Sequence, residues 1–389
     1  MVISTEKKRE SGNTRRNAVL VLLVMVQIAF CMALNSSLLS CTSSFDLQIS
    51  SPGALISPTT TNSNPAYIPS SVEEYIMNHA VALGYDNKSP SSGCTIWNNT
   101  DATVSPEIRR DLQSYSKDLE QYNTAIHDFE PIPELLKSIQ KTGNHDVCAS
   151  AQPHPDGIEA LFPSKQLSLS KSEFVEPLTP PMRDHRICEN QRKYLMSLEY
   201  LVHDFEAMCR TLKPHSKRIL IDMGASLKFH GGKNVQPIVT LLNQYEKFGF
   251  AFDHIYGFEI TPTPPKEAYD LIPEKFMTSF HWINVGVTAE DGNKLNPLHS
   301  ILAQFDKDDF IVVKLDIDTS SIEVPLARQL LEDKDGIYTK LVDHFYFEHH
   351  VHLKELRGSW WRSMVGSVKD SLDLFYGLRE KGIPAHFWP

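Results

Sequence analysis

The chain has 389 residues, 41% of them hydrophobic and 22% charged, enough to bury the core of one large domain or two ordinary ones. Its formal net charge of -10 at pH 7 speaks against a nucleic-acid partner, whose binding surface is normally basic. Its six cysteines contain no CxxC pair, which speaks against a structural zinc site.

At the N-terminus Lys7, Lys8, Arg9, Arg15 and Arg16 precede an apolar run over residues 18–34 that only Gln27 interrupts. A helix begins to span a bilayer at about 17 residues, and flanking positive charge stays on the cytosolic side. The pattern predicts a cytosolic tail over 1–17 and a single transmembrane signal anchor over 18–34. A cleaved signal peptide, with Ala33 and Ser36 near the cleavage site, is the alternative. Either reading sends the rest of the chain into the secretory pathway, on the lumenal side of the endoplasmic reticulum or Golgi. Sequons at Asn35, Asn87 and Asn98 agree with that topology. Cys41, Cys94, Cys148, Cys188 and Cys209 then face an oxidising lumen, and their odd number leaves one thiol over or pairs it with another chain.

Residues 35–70 are rich in Ser, Thr, Pro and Asn and predict a flexible stem. A middle region over 71–196 follows. Cap residues and helical spacing predict helices over 71–83 and 105–126, the second with Pro106 in its first turn. Residues 152–183 form a long Pro- and Ser-rich stretch that is either disordered or wrapped over a functional surface, and Leu161, Phe162, Phe174 and Val175 as apolar anchors favour wrapping. Residues 197–212 have the spacing of an amphipathic helix.

From Arg218 onward strands and helices alternate. Strands are predicted over 219–223, 254–260, 281–287, 310–313, 344–348 and 385–388. Helices are predicted over 235–248, 266–271, 298–305, 323–331 and 367–381, the last stopped by Gly382. Alternation of this kind implies an α/β fold, a doubly wound, mostly parallel sheet with helices on both faces, here over 197–389.

The chemistry-bearing residues fall where those strands end. Asp316 and Asp318 follow the buried run Phe310, Ile311, Val312, Val313 and precede a helix start, the edge at which open α/β sheets bind ligands. Capping by Asp318 or Ser320 explains one carboxylate and leaves the other without a role. Asp222 ends the first strand before a turn at Gly224, and Glu259 ends the second, where an acid commonly holds a ribose diol. Neither GxGxxG nor GxxxxGK[ST] is present, which disfavours a dinucleotide or a P-loop nucleotide. In the run HFYFEHHVH, Glu348, His350 and His352 share a face if the strand continues. With Asp316 and Asp318 they can bind a divalent cation, or His350 can deprotonate a hydroxyl. Trp360 and Trp361, flanked by Arg357 and Arg362, offer either an aromatic platform for a sugar or packing against the middle region.

The segments DMGAS, FEIT, NVGVTAEDG and VVKLDIDTSSIEV, in that order over 218–389, resemble the successive motifs of FkbM-type methyltransferases. These are class I enzymes that use S-adenosylmethionine and often methylate hydroxyl groups of sugars or polyketides. The resemblance implies that Asp222 and Gly224 face the methionine part of the cofactor and Glu259 its ribose. It places Asp291 or its neighbour Glu290 near the adenine and Asp316 near the transferred methyl. It implies a methyltransferase for a hydroxyl of a glycan or small molecule in the secretory pathway. Two segments depart from the pattern: ASLKFHGG follows the first strand without a second closely spaced glycine, and Asp318-Thr319 stands where an acid followed by glycine is usual. These departures leave open a catalytically silent binding module of the same fold. A metal-dependent glycan-modifying enzyme built on Asp316, Asp318 and the histidines is a third reading.

Overall fold

In the computed structural model, the residues described are 67–98, 101–129, 154, 157–162, 173–225, 237–360 and 362–389. All belong to one compact unit, Ser63–Pro389. The predicted tail, anchor and most of the stem lie outside them. Among the described residues no helix is long and apolar enough to cross a membrane.

Six strands form one sheet: β1 (Arg218–Met223), β2 (His254–Phe258), β3 (Phe280–Ile283), β4 (Phe310–Leu315), β5 (His344–Phe347) and β6 (Ala385–Phe387). Their order is β3-β2-β1-β4-β5-β6, and every neighbouring pair is parallel. The central strands are buried on both faces, which is why β4 reads as the continuous run FIVVKL. The order reverses between β1 and β4, so the helices that follow these two strands leave on opposite faces and open a crevice at their carboxyl ends. The register places Asp222 opposite Lys314 and Met223 opposite both Phe258 and Leu315, so three strands finish at one level.

Seven helices matter below: α1 (Ser71–His79), α2 (Pro106–Asp128), α3 (Phe205–Thr211), α4 (Pro237–Lys247), α5 (Pro265–Leu271), α6 (Ser320–Leu331) and α7 (Val368–Glu380). Ser105 caps α2 through Ile108 N, with Pro106 at the first helical position as predicted. Ser367 and Asp370 form a reciprocal capping box at the start of α7, and Gly382 (φ 88°) lies just beyond its end. Where a helix was expected over 298–305, Pro297–Ser300 makes one turn and Leu302–Gln304 a 3₁₀ turn.

The helix expected over 197–212 shrinks to α3, because side chains from elsewhere claim the backbone before it. Val202 N donates to Glu176 Oε2 (3.1 Å) and His203 N to the Tyr122 hydroxyl (2.9 Å), which in turn donates to His203 O (3.2 Å). Asp204 then caps α3 by accepting from Ala207 N (3.1 Å). The amphipathic spacing is present, but fixed side-chain partners outside the helix take those hydrogen bonds first.

The boundary drawn from the sequence between 71–196 and 197–389 has no counterpart in the packing. Apolar residues of α1, α2 and 173–182 belong to the same buried cluster as the sheet. Arg379 of α7, fully buried, donates to Glu176 O (2.7 Å), the Tyr67 hydroxyl (3.0 Å) and Ala385 O of β6 (2.8 Å), and pairs with Glu73 of α1 (3.5 Å). On that side His386 Nδ1 meets Glu176 Oε1 (2.9 Å) and His386 Nε2 meets His344 Nδ1 (2.9 Å). His203 Nε2 meets the Tyr346 hydroxyl at 2.6 Å. His344 and Tyr346 alternate with Phe345 and Phe347 along β5, so one face of that strand is polar and yet buried. A buried charge persists only when paired and hydrogen-bonded, and here most partners come from the N-terminal segments.

A Cys94–Cys188 disulfide ties the segment after α1 to the segment before α3, and Cys209 is disulfide-bonded as well. Cys31, Cys41 and Cys148 lie outside the described residues. The 94-residue separation between Cys94 and Cys188 makes their link a strong restraint on the unfolded chain. The Cys94→Ala/Cys188→Ala double variant should lose roughly 4 kcal/mol of stability in urea unfolding. A loss below about 1 kcal/mol would show that the segments hold together without the bridge.

Candidate active site at the carboxyl edge of the sheet

A cleft of about 330 Å³ opens where β1, β2 and β4 end, at the point where the strand order reverses. Asp222, Gly224, Glu259, Asp316 and Asp318 all line it, so distant parts of the sequence meet on one rim.

The floor is Lys314, 3% exposed, on β4. Its Nζ donates to Asp222 Oδ1 (2.9 Å) and to Gly224 O (3.3 Å) and pairs with Asp316 Oδ2 (3.1 Å). Burial works against the charge on Lys314, but Asp222 and then Asp316 outweigh it and hold the ammonium above its ordinary range. Asp316 Oδ2 also accepts from Trp388 Nε1 at 3.1 Å.

Gly224 has a structural reason of its own. At φ 93° it occupies a conformation that glycine tolerates best, and a Cβ there would lie 1.5 Å from Asp316 O. The turn after β1 therefore touches the turn after β4, and Asp316 N closes the contact by donating to Met223 O (2.9 Å). The sequence assigned this glycine to a ligand's approach. The chain's own backbone is what comes close.

Glu348, just past β5, carries the rim onward. Arg183 donates to its Oε1, and His350 Nε2 lies 3.0 Å from its Oε2. Burial alone would raise the Glu348 carboxyl, but Arg183 and His350 keep it below the usual carboxylate range. Burial disfavours charge on His350, while Glu348, Glu323 and Asp318 more than offset that and raise it. Asp316 is pushed the other way. Burial lifts it well above the carboxylate range, Lys314 opposes, and the neighbouring Glu348 adds to the lift. Asp318, at φ 56°, sits at the mouth with Oδ1 3.7 Å from His350 Nε2. Glu323 of α6, 1% exposed, accepts from Ile317 N (2.7 Å), and burial raises it to about 7.

On the other side, Glu259 follows β2. Its Oε1 accepts from Thr261 N (2.6 Å), and Asn284 fixes the same turn by donating to Glu259 O (2.7 Å) and Thr261 O (2.8 Å). Ile260 stands 73% exposed beside Val285, Gly286 and Val287. A Cβ on Gly286 would lie 2.8 Å from Ile260 Cδ1, so the glycine lets this apolar side chain lie across it. The result is an apolar slot next to a carboxylate.

Several expectations from the sequence are corrected. Asp291 is exposed and does not line the cleft, because residues 288–296 fold back on themselves. Thr288 N donates to Leu295 O (3.0 Å), and Glu290 accepts from Asn293 Nδ2 (2.8 Å). His350 is buried behind Glu348 and does not line the cleft, so it is not placed to meet a hydroxyl there. Glu348, His350 and His352 do not share a strand face, since β5 stops at Phe347 and His352 Nδ1 turns to Gly366 O (2.6 Å). Trp360 is buried under the Arg183 guanidinium, 4.7 Å from its ring centroid, which is packing against the middle region. The side chain of Trp361 is outside the described residues.

Asp318, Glu348 and His350 each offer one ligand atom within 4.8 Å of the others. Arg183 engages Glu348 Oε1, and Oε2 is the oxygen that faces His350.

Lys314, Arg183 and Trp388 were not singled out in the sequence. A lone lysine inside VVKLD was the available signal for the first, while nothing local marks Arg183 in its Pro-rich segment. Comparison with protein-family models, curated proteins and solved structures returns no match.

Glu323→Gln reports on the buried acids. A folded pKa raised to about 7 contributes stability that is present below the unfolded value near 4.5 and lost as pH rises through 7. The glutamine variant should therefore match the parent near pH 4 and exceed it by roughly 3 kcal/mol at pH 9 in urea unfolding. Equal pH profiles would contradict the assignment.

Proposed function

We propose that the chain is an S-adenosylmethionine-dependent methyltransferase for a hydroxyl of a glycan or small molecule in the secretory pathway. The observation that carries the reading is the single rim at the strand-order reversal, with Glu259 beside an apolar slot at one end and Asp316 at the other. The donor, when bound, supplies an electrophilic methyl on a cationic sulfonium. Glu259 is placed to accept hydrogen bonds from a ribose diol, and Ile260, Val285 and Val287 to cover a flat ring. The described charges suit a cation: Lys314 and Arg183 are buried against carboxylates, so neither faces outward to meet a phosphate. Asp316 and Asp318 stand beside the space an acceptor would enter. Displacement of this kind needs orientation more than covalent help. The disulfides at Cys94, Cys188 and Cys209 support an oxidising compartment, in keeping with the anchor expected over 18–34.

The pairing of Asp222 with Lys314 favours one second reading, a silent module of the same fold, because that carboxylate is no longer free for a ligand. Turnover against a panel of hydroxyl acceptors separates the two readings once binding is shown.

Calorimetry on the purified full chain should show one S-adenosylmethionine site. Glu259→Ala should weaken it at least about tenfold, a loss of about 1.4 kcal/mol. An absence of binding heat in the parent protein would overturn the proposal.

A further inference from the structure

Where β4 and β5 end, three side chains converge on one point. Asp318 follows β4, and Glu348 and His350 follow β5. His350 Nε2 lies 3.0 Å from Glu348 Oε2 and 3.7 Å from Asp318 Oδ1. Metal–ligand bonds of about 2.1 Å set two ligand atoms about 3.0 Å apart at right angles and about 3.6 Å apart at about 120°. The two separations match those values. The Asp318 and Glu348 oxygens lie within 4.8 Å of each other, and the half-exposed Asp318 is the ligand that can move to close the gap. Acidic residues alone would not make a site, since carboxylates gather on many protein surfaces. Here the imidazole decides. His350 is 1% exposed, and neither ring nitrogen has an aligned hydrogen-bond partner among the described residues. A buried polar atom without such a partner is costly, and Nε2 is the one turned toward both carboxylates.

The geometry points to a site for one divalent first-row metal ion, bound by Asp318 Oδ1, Glu348 Oε2 and His350 Nε2 at the mouth of the cleft. One imidazole with two carboxylates suits ions of the manganese-to-zinc series, whereas magnesium and calcium favour oxygen alone. The surroundings hold these ligands in place. Arg183 engages the other Glu348 oxygen, Oε1, and so leaves Oε2 directed at His350. Glu323 accepts from Ile317 N (2.7 Å) and Asp316 N donates to Met223 O (2.9 Å), which fixes the turn that carries Asp318. Partners of this kind orient the ligands of a metal. Charge argues the same way. On this side of the cleft Asp222, Asp316, Asp318 and Glu348, written as carboxylates, face two permanent cations, Lys314 and Arg183. A doubly charged ion beside a neutral imidazole supplies the difference. The carboxylates that favour a proton on His350 attract such an ion to the same place more strongly, and its binding sends that proton to solvent. Three protein ligands leave further positions open, and Asp318 and Glu348 line the cleft. An acceptor hydroxyl entering there would meet the ion, a role that rests on the methyl-donor reading above; uptake of the ion itself does not.

The test uses the metal alone. The full chain is dialysed against a chelator, then against plain buffer, and titrated with Mn²⁺ in a calorimeter. No methyl donor is added, so failure here and failure of the methyl-donor reading are separate results. Uptake at one site is the expected outcome, and Mg²⁺ at the same concentration should not displace the ion. Asp318→Asn removes an exposed ligand and spares the core, and it should weaken uptake by at least about tenfold. Electron spin echo spectra of the Mn²⁺ complex should show one coupled imidazole nitrogen, lost in His350→Gln. No uptake by the parent chain, displacement by equal Mg²⁺, uptake unchanged in Asp318→Asn, or bound Mn²⁺ without a coupled nitrogen each overturn the site. Should His350→Gln fail to fold, the Asp318→Asn titration and the echo spectrum of the parent chain decide.

Discussion

A lysine ammonium buried between two carboxylates sets the geometry of the whole edge. Lys314 sits on the central strand β4, opposite Asp222 in the register with β1 and two residues before Asp316. Its three contacts hold the turn after β1 against the turn after β4. The close approach of Gly224 to Asp316 O follows from that, as does the placement of Asp316 on the rim. Breaking such a pair strands a charge in a poorly solvated place, at a cost of about 3–5 kcal/mol. The pairing thus fixes the rim strongly. It also consumes Asp222, so the cleft must meet a ligand with Asp316, Asp318 and Glu259.

Arg183 has the corresponding role beside the neighbouring strand β5, and it comes from outside the alternating region of the chain. The N-terminal segments therefore belong to the site's construction. Glu73, Glu176 and Tyr67 anchor them on Arg379 of α7, and the Cys94–Cys188 bridge lies next to the segment that delivers Arg183. From there Arg183 reaches Glu348, its guanidinium lying over the Trp360 ring. Without that guanidinium, the buried Glu348 and its neighbour Asp316 would have His350 and Lys314 alone to offset them. Of residues 152–183, the described stretch 173–183 brings Glu176 to Arg379 and Arg183 to Glu348, and its consequence is electrostatic.

Much of the sheet was legible because a buried parallel strand leaves an apolar run and a helix leaves a period, each within one stretch of chain. The starts of α2 and α7 follow from Ser105 and Ser367 in that local way, whereas β4 runs on through Lys314 to Leu315, beyond the apolar run that marked it. The rim acids were legible for the same reason: Asp222, Glu259 and Asp316 each stand where an apolar run gives out. Their partners were not, since pairing Lys314 with Asp222 requires the register of two strands some ninety residues apart. The helix expected over 197–212 failed on long-range competition from Tyr122 and Glu176, which no window of that stretch contains. Asp291 failed because a turn closed by Thr288 and Asn293 carries it away from the cleft. Of the motif resemblance, the fold agrees at the level of a six-stranded parallel α/β sheet.

The central claim is one of place: the donor occupies the crevice where β1, β2 and β4 end. Amide hydrogen exchange followed by mass spectrometry, with and without saturating S-adenosylmethionine, tests it most directly. The account predicts slowed exchange in peptides covering 222–225, 258–261, 285–287 and 316–319, with α2 and α7 unchanged. Protection confined to any other region of the chain, or no protection at all, would contradict it.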